Sequence, residues 1–400
     1  MNFKELKPKM RVLLRAPLLT NSGYGVHSRQ IFEWLSQRKD IDLTVECLNW
    51  GITSWLINPD LNEGLVGKIM LCSKNLEPPY DVAIQVQLPD EWDTSLGHKN
   101  IGISAFVETD RCNKAWVEKC NSMDHIIVPS TFTKNVVKRT GGLIKPITVI
   151  PEWYNHDILN KDECITMATN PDDNRYNFCT NFNFLIISQL TSANPDDDRK
   201  NLFNAIKWLC EAFKDDEEVG IVIKTNMGKS TTIDRALTTQ TMKSILESID
   251  RKIFPKIYLL HGNMTSKEMA SLYHHPKINC FVSPTRGEGY GLPLIDAAVS
   301  GMPIVATNWS GHLEFLRRDG FYPVNYDMKA INESKIDDRI FQKGFRWAEP
   351  QKKSFIRQVL NVYYSIEESK AKVIKDATRI KKEFNKNIIM KMYDKILELI

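Results

Sequence analysis

No segment of this 400-residue chain approaches the roughly 18–20 consecutive apolar residues that cross a bilayer. The opening MNFKELKPKMRVLLRAPLL is no secretory signal, since its apolar run is short and Arg11 and Arg15 interrupt it. These absences point to the cytoplasm, with peripheral contact at the inner face of a membrane as a second reading. The eight cysteines (47, 72, 112, 120, 164, 179, 210, 280) include no C-x-x-C pair, and the spacing of Cys112 and Cys120 fits no common zinc site. They read as reduced residues that pack as small hydrophobes. A charge excess is also missing: 53 Lys and Arg against 49 Asp and Glu leave +4, which implies no strong field for a polyanion. No fixed-period repeat or long low-complexity tract occurs, and 42% hydrophobic with 26% charged residues excludes a largely disordered chain. At this length two domains are expected.

What is there is an alternation. Short apolar runs read as strands: RVLLRA (11–16), LTVECLN (43–49), DVAIQV (81–86), IGISAF (101–106), DHIIVP (124–129) and ITVI (147–150) in the first part. The second part has NFLIIS (183–188), VGIVIK (219–224), KIYLL (256–260), INCFVS (278–283) and PIVAT (303–307). Runs this short and this apolar suit parallel strands buried on both faces. Helical patterns separate them, at 26–36, 201–214, 266–274 and 292–300 among others. The fold expected is therefore α/β, with doubly wound, Rossmann-like sheets. The pattern breaks at about 155–182, which is polar and rich in Asn and Asp. That predicts residues 1–160 as one domain, 161–182 as a linker, 183–372 as a second domain and 373–400 as a closing helix. Two such domains would face a central cleft, with strand ends presenting loops to it. Nine basic and three acidic residues between 370 and 395 make the closing helix a solvated outer face, or else a contact for an anionic surface.

The most informative segment is SPTRGEGYGLPLIDAAVSGMPIVATNWSGHLEFL (283–316). It follows a strand and opens a helix. Gly287, Gly289 and Gly291 lie in the turn, where backbone N–H groups and the helix N-terminus suit an anion. Glu288 sits in the loop and Asp296 eight positions on, both placed to accept hydrogen bonds from sugar and ribose hydroxyls.

This segment resembles the E-x7-E signature of retaining glycosyltransferases of the GT-B fold, specifically glycosyltransferase family 4. The matching residues are Ser283-Pro284, Glu288-Gly-Tyr-Gly-Leu-Pro293, Asp296 in place of the usual Glu, and Gly301-Met-Pro303-Ile-Val-Ala306. Further segments match in order. Gly23 and Gly25 in TNSGYGVHSRQIFEWL are similar to an acceptor-side glycine loop, with His27 beside them. Ser130 in IVPSTFTKN, ITVIPEWYN (147–155), Asn263 in LLHGNMTSKEMASLY (259–273) and WAEP (347–350) resemble family elements, although Glu152 and Trp153 replace small residues. The resemblance implies a last helix that crosses back to the N-terminal domain. It also implies transfer of a sugar from a nucleoside diphosphate to an acceptor hydroxyl with retention, without metal or other cofactor. Glu288 would hold the donor sugar and Asp296 the ribose. The amides of Gly289, Tyr290, Gly291 and Leu292, with Lys200, would hold the phosphates.

One family feature is missing. Where an arginine follows the first strand of the second domain, this chain has Ser188-Gln189. The lysine of the family matches in Arg199-Lys200-Asn201, after an acidic insert at 193–198. Arg199, or Lys224 at the end of VGIVIK, would supply the second cation for a departing diphosphate. On the opposite rim, ISAFVETDRCNKAW (103–116) offers Glu108 and Asp110 as substrate-side groups. His261 and His312 flank donor-side turns, and His274 and His275 read as surface residues. The aspartates at 196–198 read as a loop and not a metal site.

The expected acceptor is a surface glycan or a lipid-linked saccharide, and the alternative is a modified base in DNA, acted on by a viral enzyme. A different class, an NAD-dependent dehydrogenase, would use SGYGVHS (22–28) with Glu46, but Ser28 stands where the third glycine belongs. A non-catalytic sugar-nucleotide binder is the remaining alternative.

Overall fold

The computed structural model describes residues 8–192, 194–249 and 254–399. Residues 1–7, from which the lack of a leader was partly read, and Ala193, which heads the acidic insert, lie outside the described residues.

The first sheet contains β1 (Met10–Ala16), β2 (Ile41–Cys47), β3 (Tyr80–Val86), β4 (Gly97–Ile103), β5 (His125–Val128) and β6 (Ile147–Val149). Its strands are parallel, in the order β2-β1-β3-β4-β5-β6. The second sheet contains β7 (Phe182–Ile187), β8 (Val219–Thr225), β9 (Lys256–His261), β10 (Ile278–Ser283), β11 (Ile304–Thr307) and β12 (Tyr322–Val324). It is also parallel, in the order β12-β11-β10-β7-β8-β9. Central strands such as VGIVIKT are buried along nearly their whole length, because helices cover both faces. In each sheet the winding reverses once, between β1 and β3 and between β7 and β10. Loops leaving the carboxyl ends of strands at such a reversal form a crevice, the usual ligand site of this architecture.

Two expectations are corrected. The stretch 161–182 is not a loose linker: it contains the helix Lys161–Ala168, and Cys164, Tyr176 and Phe178 enter the core under the second sheet. The crossing back to the first domain starts later than 373. The helix Ile366–Glu383 stays on the second domain, with Ile380 and Phe384 in its core, whereas the helix Lys386–Leu399 buries Ile389, Met390, Tyr393, Ile396 and Leu397 in the first core.

A third connection was not legible in the sequence. After β12 the chain forms an antiparallel pair, β13 (Tyr326–Ala330) and β14 (Arg346–Pro350). The excursion between these strands reaches the first domain. Its Ile331, Phe341 and Phe345, with Trp347 of β14, join a core cluster made by Phe106, Val107, Trp116 and Val117. At its tip Arg339 pairs with Asp90 and Glu91, each at 2.6 Å. This strap is a second tie between the domains, made in a different core cluster from the one the crossing helix enters.

Candidate active site between the two sheets

The loops at the β7/β10 reversal meet. The helix Leu202–Ala212 is capped by Asp198, whose Oδ2 accepts the Leu202 N–H at 2.6 Å. Asn201 takes the left-handed backbone region and donates from Nδ2 to the Pro284 carbonyl at 3.0 Å. The backbone N–H of Arg286 donates to the Arg199 carbonyl at 2.8 Å. These bonds bring Arg199 and Lys200 to the glycine turn after β10. There Lys200 Nζ lies 2.7 Å from both oxygens of Glu288. Arg199 reaches Glu288 at 3.5 Å, donates to the Gly287 carbonyl, and reaches across the cleft to Glu108 at 3.2 Å. Burial would push Glu288 up, but Lys200 and Arg199 outweigh it and bring it down to about 2, so it is ionised. The same burial lowers Lys200, against the pull of Glu288.

The turn is held from several sides. The N–H of Glu288 donates to Ser310 Oγ at 2.9 Å, and its carbonyl accepts from the Gly311 N–H at 2.8 Å. Gly289 packs against the first domain, where a Cβ would come within 2.8 Å of the Ala105 methyl, so no larger residue fits without movement. Gly291 has φ +105°, and the helix Leu292–Ser300 begins directly after it. Pro293 lacks an N–H and the Leu294 N–H donates to the Gly291 carbonyl at 2.9 Å, so at this helix end the Leu292 N–H is left, with the amides of the turn before it, for an anion.

Arg286 is the residue that sequence reasoning missed. Its guanidinium is almost fully buried and donates to both oxygens of Glu349 at 2.9 and 3.0 Å. It also donates to the Pro195 and Asp198 carbonyls at 2.7 and 2.8 Å and lies over the Trp347 ring. One side chain thus joins the acidic insert, the glycine turn and the strap. The available signal was an arginine inside the turn motif with a glutamate in WAEP.

The other expected residues fall in different places. Glu108 belongs to the cluster, but Asp110 does not. Its Oδ1 accepts the Arg346 N–H at 2.8 Å and its N–H donates to the Arg346 carbonyl at 2.8 Å, so it fastens the strap. Ser130 caps the helix Thr131–Thr140 and donates to the Gly289 carbonyl at 2.7 Å, which makes it a domain-to-domain contact with its hydroxyl engaged. Tyr290 is buried and donates to the Glu152 carbonyl at 2.6 Å, so only its backbone faces the turn. Asn263 Nδ2 donates to Ser54 Oγ at 3.0 Å, bridging the domains. Gly23 opens the first helix, and the Gly25 N–H donates to the Ser22 Oγ cap at 2.9 Å. Asp296 is half-buried. Its Oδ1 accepts the Asn155 N–H at 2.9 Å, and burial, opposed by that bond, raises it to about 7.

Lys224 is half-buried at the end of β8 and has no ion pair among the described residues; burial lowers it to about 8. Gln189 is exposed. The histidines are engaged elsewhere. His27 is buried against Tyr393 OH at 3.0 Å, and His312 Nε2 donates to the Thr307 carbonyl at 2.7 Å while its Nδ1 lies 3.5 Å from Ser310 Oγ. His261 pairs with Asp234 at 2.7 Å, an acid that also accepts the Met227 and Lys229 N–H groups. His275 is buried, contrary to its reading as a surface residue, and packs on Tyr176 and Phe178. Asp197 and Asp198 are likewise used in loop hydrogen bonds, to Ser334 and Leu202.

Residues 203–334 match the family model described as glycosyl transferases group 1. The chain carries a group 1 glycosyltransferase domain in a GT-B fold. Sucrose synthase of Melioribacter roseus is 34% identical over 73 residues, 16% of this chain and 9% of that relative. The chain therefore spans only about 9% of the length of this curated relative in the match. Three solved structures share the fold over nearly the full length. HepE of Anabaena, in complex with UDP and glucose, has a TM-score of 0.62 at 12% identity, covering 98% of this chain and 100% of that one. Sucrose-phosphate synthase of Thermosynechococcus elongatus gives 0.62 at 13%, covering 98% and 99%. A glycosyltransferase of Rickettsia africae gives 0.63 at 12%, covering 97% of each chain. The glycosyltransferase domain thus spans the turn with Glu288 and the helix after Asn201 that orients Lys200.

Proposed function

We propose that the protein transfers a sugar from a nucleoside-diphosphate donor to an acceptor hydroxyl with retention of configuration. The observation that carries this reading is the meeting of Lys200, Arg199 and Glu288 at the reversal between β7 and β10. HepE, which has the same fold, is described with UDP and glucose bound, which supports a donor of this class.

The cluster of Arg199, Lys200, Glu108 and Glu288 is neutral as a set. A diphosphate brings two further negative charges, so the pairs rearrange on binding. Lys200 turns from Glu288 to the phosphates, and Glu288 is released to accept sugar hydroxyls. The Gly289–Leu292 amides add fixed dipoles, and Lys224 adds a cation from the neighbouring strand end. The free oxygen of Asp296 takes a ribose hydroxyl. In the reaction the bond from the anomeric carbon to the diphosphate oxygen breaks, and the acceptor oxygen bonds to the same carbon. The acceptor proton passes to the departing diphosphate. No group of the chain is consumed, and the protein contributes position and charge.

The acceptor side favours a glycan or lipid-linked saccharide over DNA. Residues 48–59 carry no charged side chain and expose Ile52, Trp55 and Ile57 beside the first helix. A polyanion would need cations there. The test is a thermal-shift screen of UDP, GDP, ADP, CDP and TDP, with NAD as control, on wild type and Lys200→Ala. One diphosphate should stabilise the wild type and less so the variant. Stabilisation by NAD alone would replace this reading with a dehydrogenase, and an unshifted melt with every nucleotide would count against a donor site.

A further inference from the structure

Glu152 follows β6 at its carboxyl end, where the first domain meets the cleft. It is 6% exposed, and its Oε2 is buried with no hydrogen-bond partner among the described residues. The backbone around it is fixed. Tyr290 OH donates to its carbonyl at 2.6 Å, and Gln30 binds both the N–H and the carbonyl of Trp153 at 3.1 and 2.7 Å. The charge of the Glu152 carboxyl helps to raise three phenols, those of Tyr24 in the glycine loop, Tyr290 in the donor turn and Tyr393 in the last helix. Tyr24 OH accepts the Ala105 N–H at 2.9 Å, and Ala105 packs on Gly289, so the glycine loop and the donor turn meet beside this strand end. His27, on the same helix as Tyr24, is tied to Tyr393 and kept neutral by burial.

An unpartnered buried carboxyl costs about 1–3 kcal/mol that a small apolar residue would not. Such a group calls for a ligand that completes its hydrogen bonds. We infer that the Glu152 carboxyl is a specificity-determining contact for a hydroxyl of a neutral saccharide acceptor, seated between Tyr24 and the Tyr290 turn. This rests on the glycosyltransferase reading above. Burial pushes Glu152 up to about 8. Near neutral pH it is a protonated acid that both donates and accepts, which suits a hydroxyl and not an anion. It lies on the first domain, whereas Glu288 approaches from the second, so the two carboxyls would address acceptor and donor respectively.

The experiment uses the full chain as wild type, Glu152→Gln and Glu152→Leu. UDP release from UDP-glucose, or from the sugar nucleotide of whichever base the thermal screen selects, is followed with water alone and with a panel of neutral mono- and disaccharides. The expected result is that Leu keeps nucleotide stabilisation and release with water, while its acceptor KM rises by about tenfold or more, as for a site built to pair a hydroxyl. Gln, which also donates and accepts, restores KM and removes the loss of transfer that the wild type shows above about pH 8. An unchanged acceptor KM in Leu overturns the inference. If Leu does not fold, the same alkaline fall in Gln as in wild type overturns it. Turnover with water but with none of the saccharides overturns the neutral-saccharide class. Absence of nucleotide binding and release in the wild type fails the glycosyltransferase reading itself, and this inference with it.

Discussion

Lys200 and Glu288 stand 88 residues apart in the chain and meet with the ammonium nitrogen 2.7 Å from both carboxylate oxygens. Both side chains are mostly shielded, at 20% and 9% exposure. Removing one partner leaves the other charge buried without its counter-ion, a loss of about 3–5 kcal/mol in a fully buried pair and less here. Removing both spares that penalty. Lys200→Met and Glu288→Gln should each lower the unfolding free energy, and the double variant should recover most of the loss. Each should also cut transfer on the order of 100-fold, the usual cost of removing one stabilising group at a developing anion. Urea melts and initial rates on the three variants check this. A double variant that loses the sum of the singles would mean that the pair is not coupled.

The strap makes a separate prediction about stability. Phe345 is a residue of the second domain's excursion but is buried in the first domain's cluster. Phe345→Ala should cost about 3–5 kcal/mol, as for other buried phenylalanines. Arg339 at the strap tip is 48% exposed, and its pairs with Asp90 and Glu91 are screened by solvent. Arg339→Ala should therefore cost about 1 kcal/mol or less. Chemical denaturation of both variants tests whether the two domains are held mainly by apolar contact. Equal costs would count against it.

The sequence was most legible where the signal is local. Eleven strands and the turn after β10 follow from short apolar runs, glycines and a following helix, all within a few residues of one another. Glu288 was readable for the same reason, whereas Lys200, well beyond the end of β7, was picked out by the resemblance of Arg199-Lys200-Asn201 to the family's lysine. What was not legible depends on distant partners. Arg286 reads as an ordinary turn arginine until Glu349 and Trp347 are brought to it. Asp110 is separated from Glu108 by one residue yet turns to Arg346 on the strap, which no local pattern announces. His27 was drawn towards the acceptor by its neighbours Gly23 and Gly25. One turn into the helix its ring instead faces the last helix of the chain.

That His27 contact sets an acid limit. His27 is buried beside Tyr393, and burial lowers it to about 3. The unfolded chain takes up the proton near pH 6.5, so below that pH the unfolded state binds more protons and stability falls as pH drops towards 3. Between pH 7 and pH 5 this one group should account for about 2 kcal/mol of lost stability. His27→Gln, which can still bond to Tyr393 OH, should show a correspondingly flatter profile over that window. Urea melts at the two pH values measure the difference, and parallel profiles for wild type and variant would remove His27 as the cause.

Asp296 behaves in the opposite direction and separates a structural role from a binding one. Burial raises it to about 7 despite the Asn155 N–H on Oδ1, whereas the unfolded chain ionises near 3.8. Between these values the folded state holds the proton more tightly, so stability falls as pH rises through the window. Asp296→Asn keeps the acceptor for Asn155 and cannot ionise. Without nucleotide, the variant should gain about 2–3 kcal/mol on wild type between pH 5 and pH 8. With nucleotide that gain should shrink by about 1.4 kcal/mol or more, because a charged acceptor for the ribose hydroxyl has been replaced by a neutral one. A hydrogen bond to a charged group is worth about 1.5–3 kcal/mol, so the nucleoside diphosphate should bind about tenfold or more weakly to the variant. Calorimetric titration at pH 8 beside the melts reads both effects on one sample. A variant that is more stable and binds as tightly as wild type would leave Asp296 as a strut for Asn155 and assign the ribose to another group.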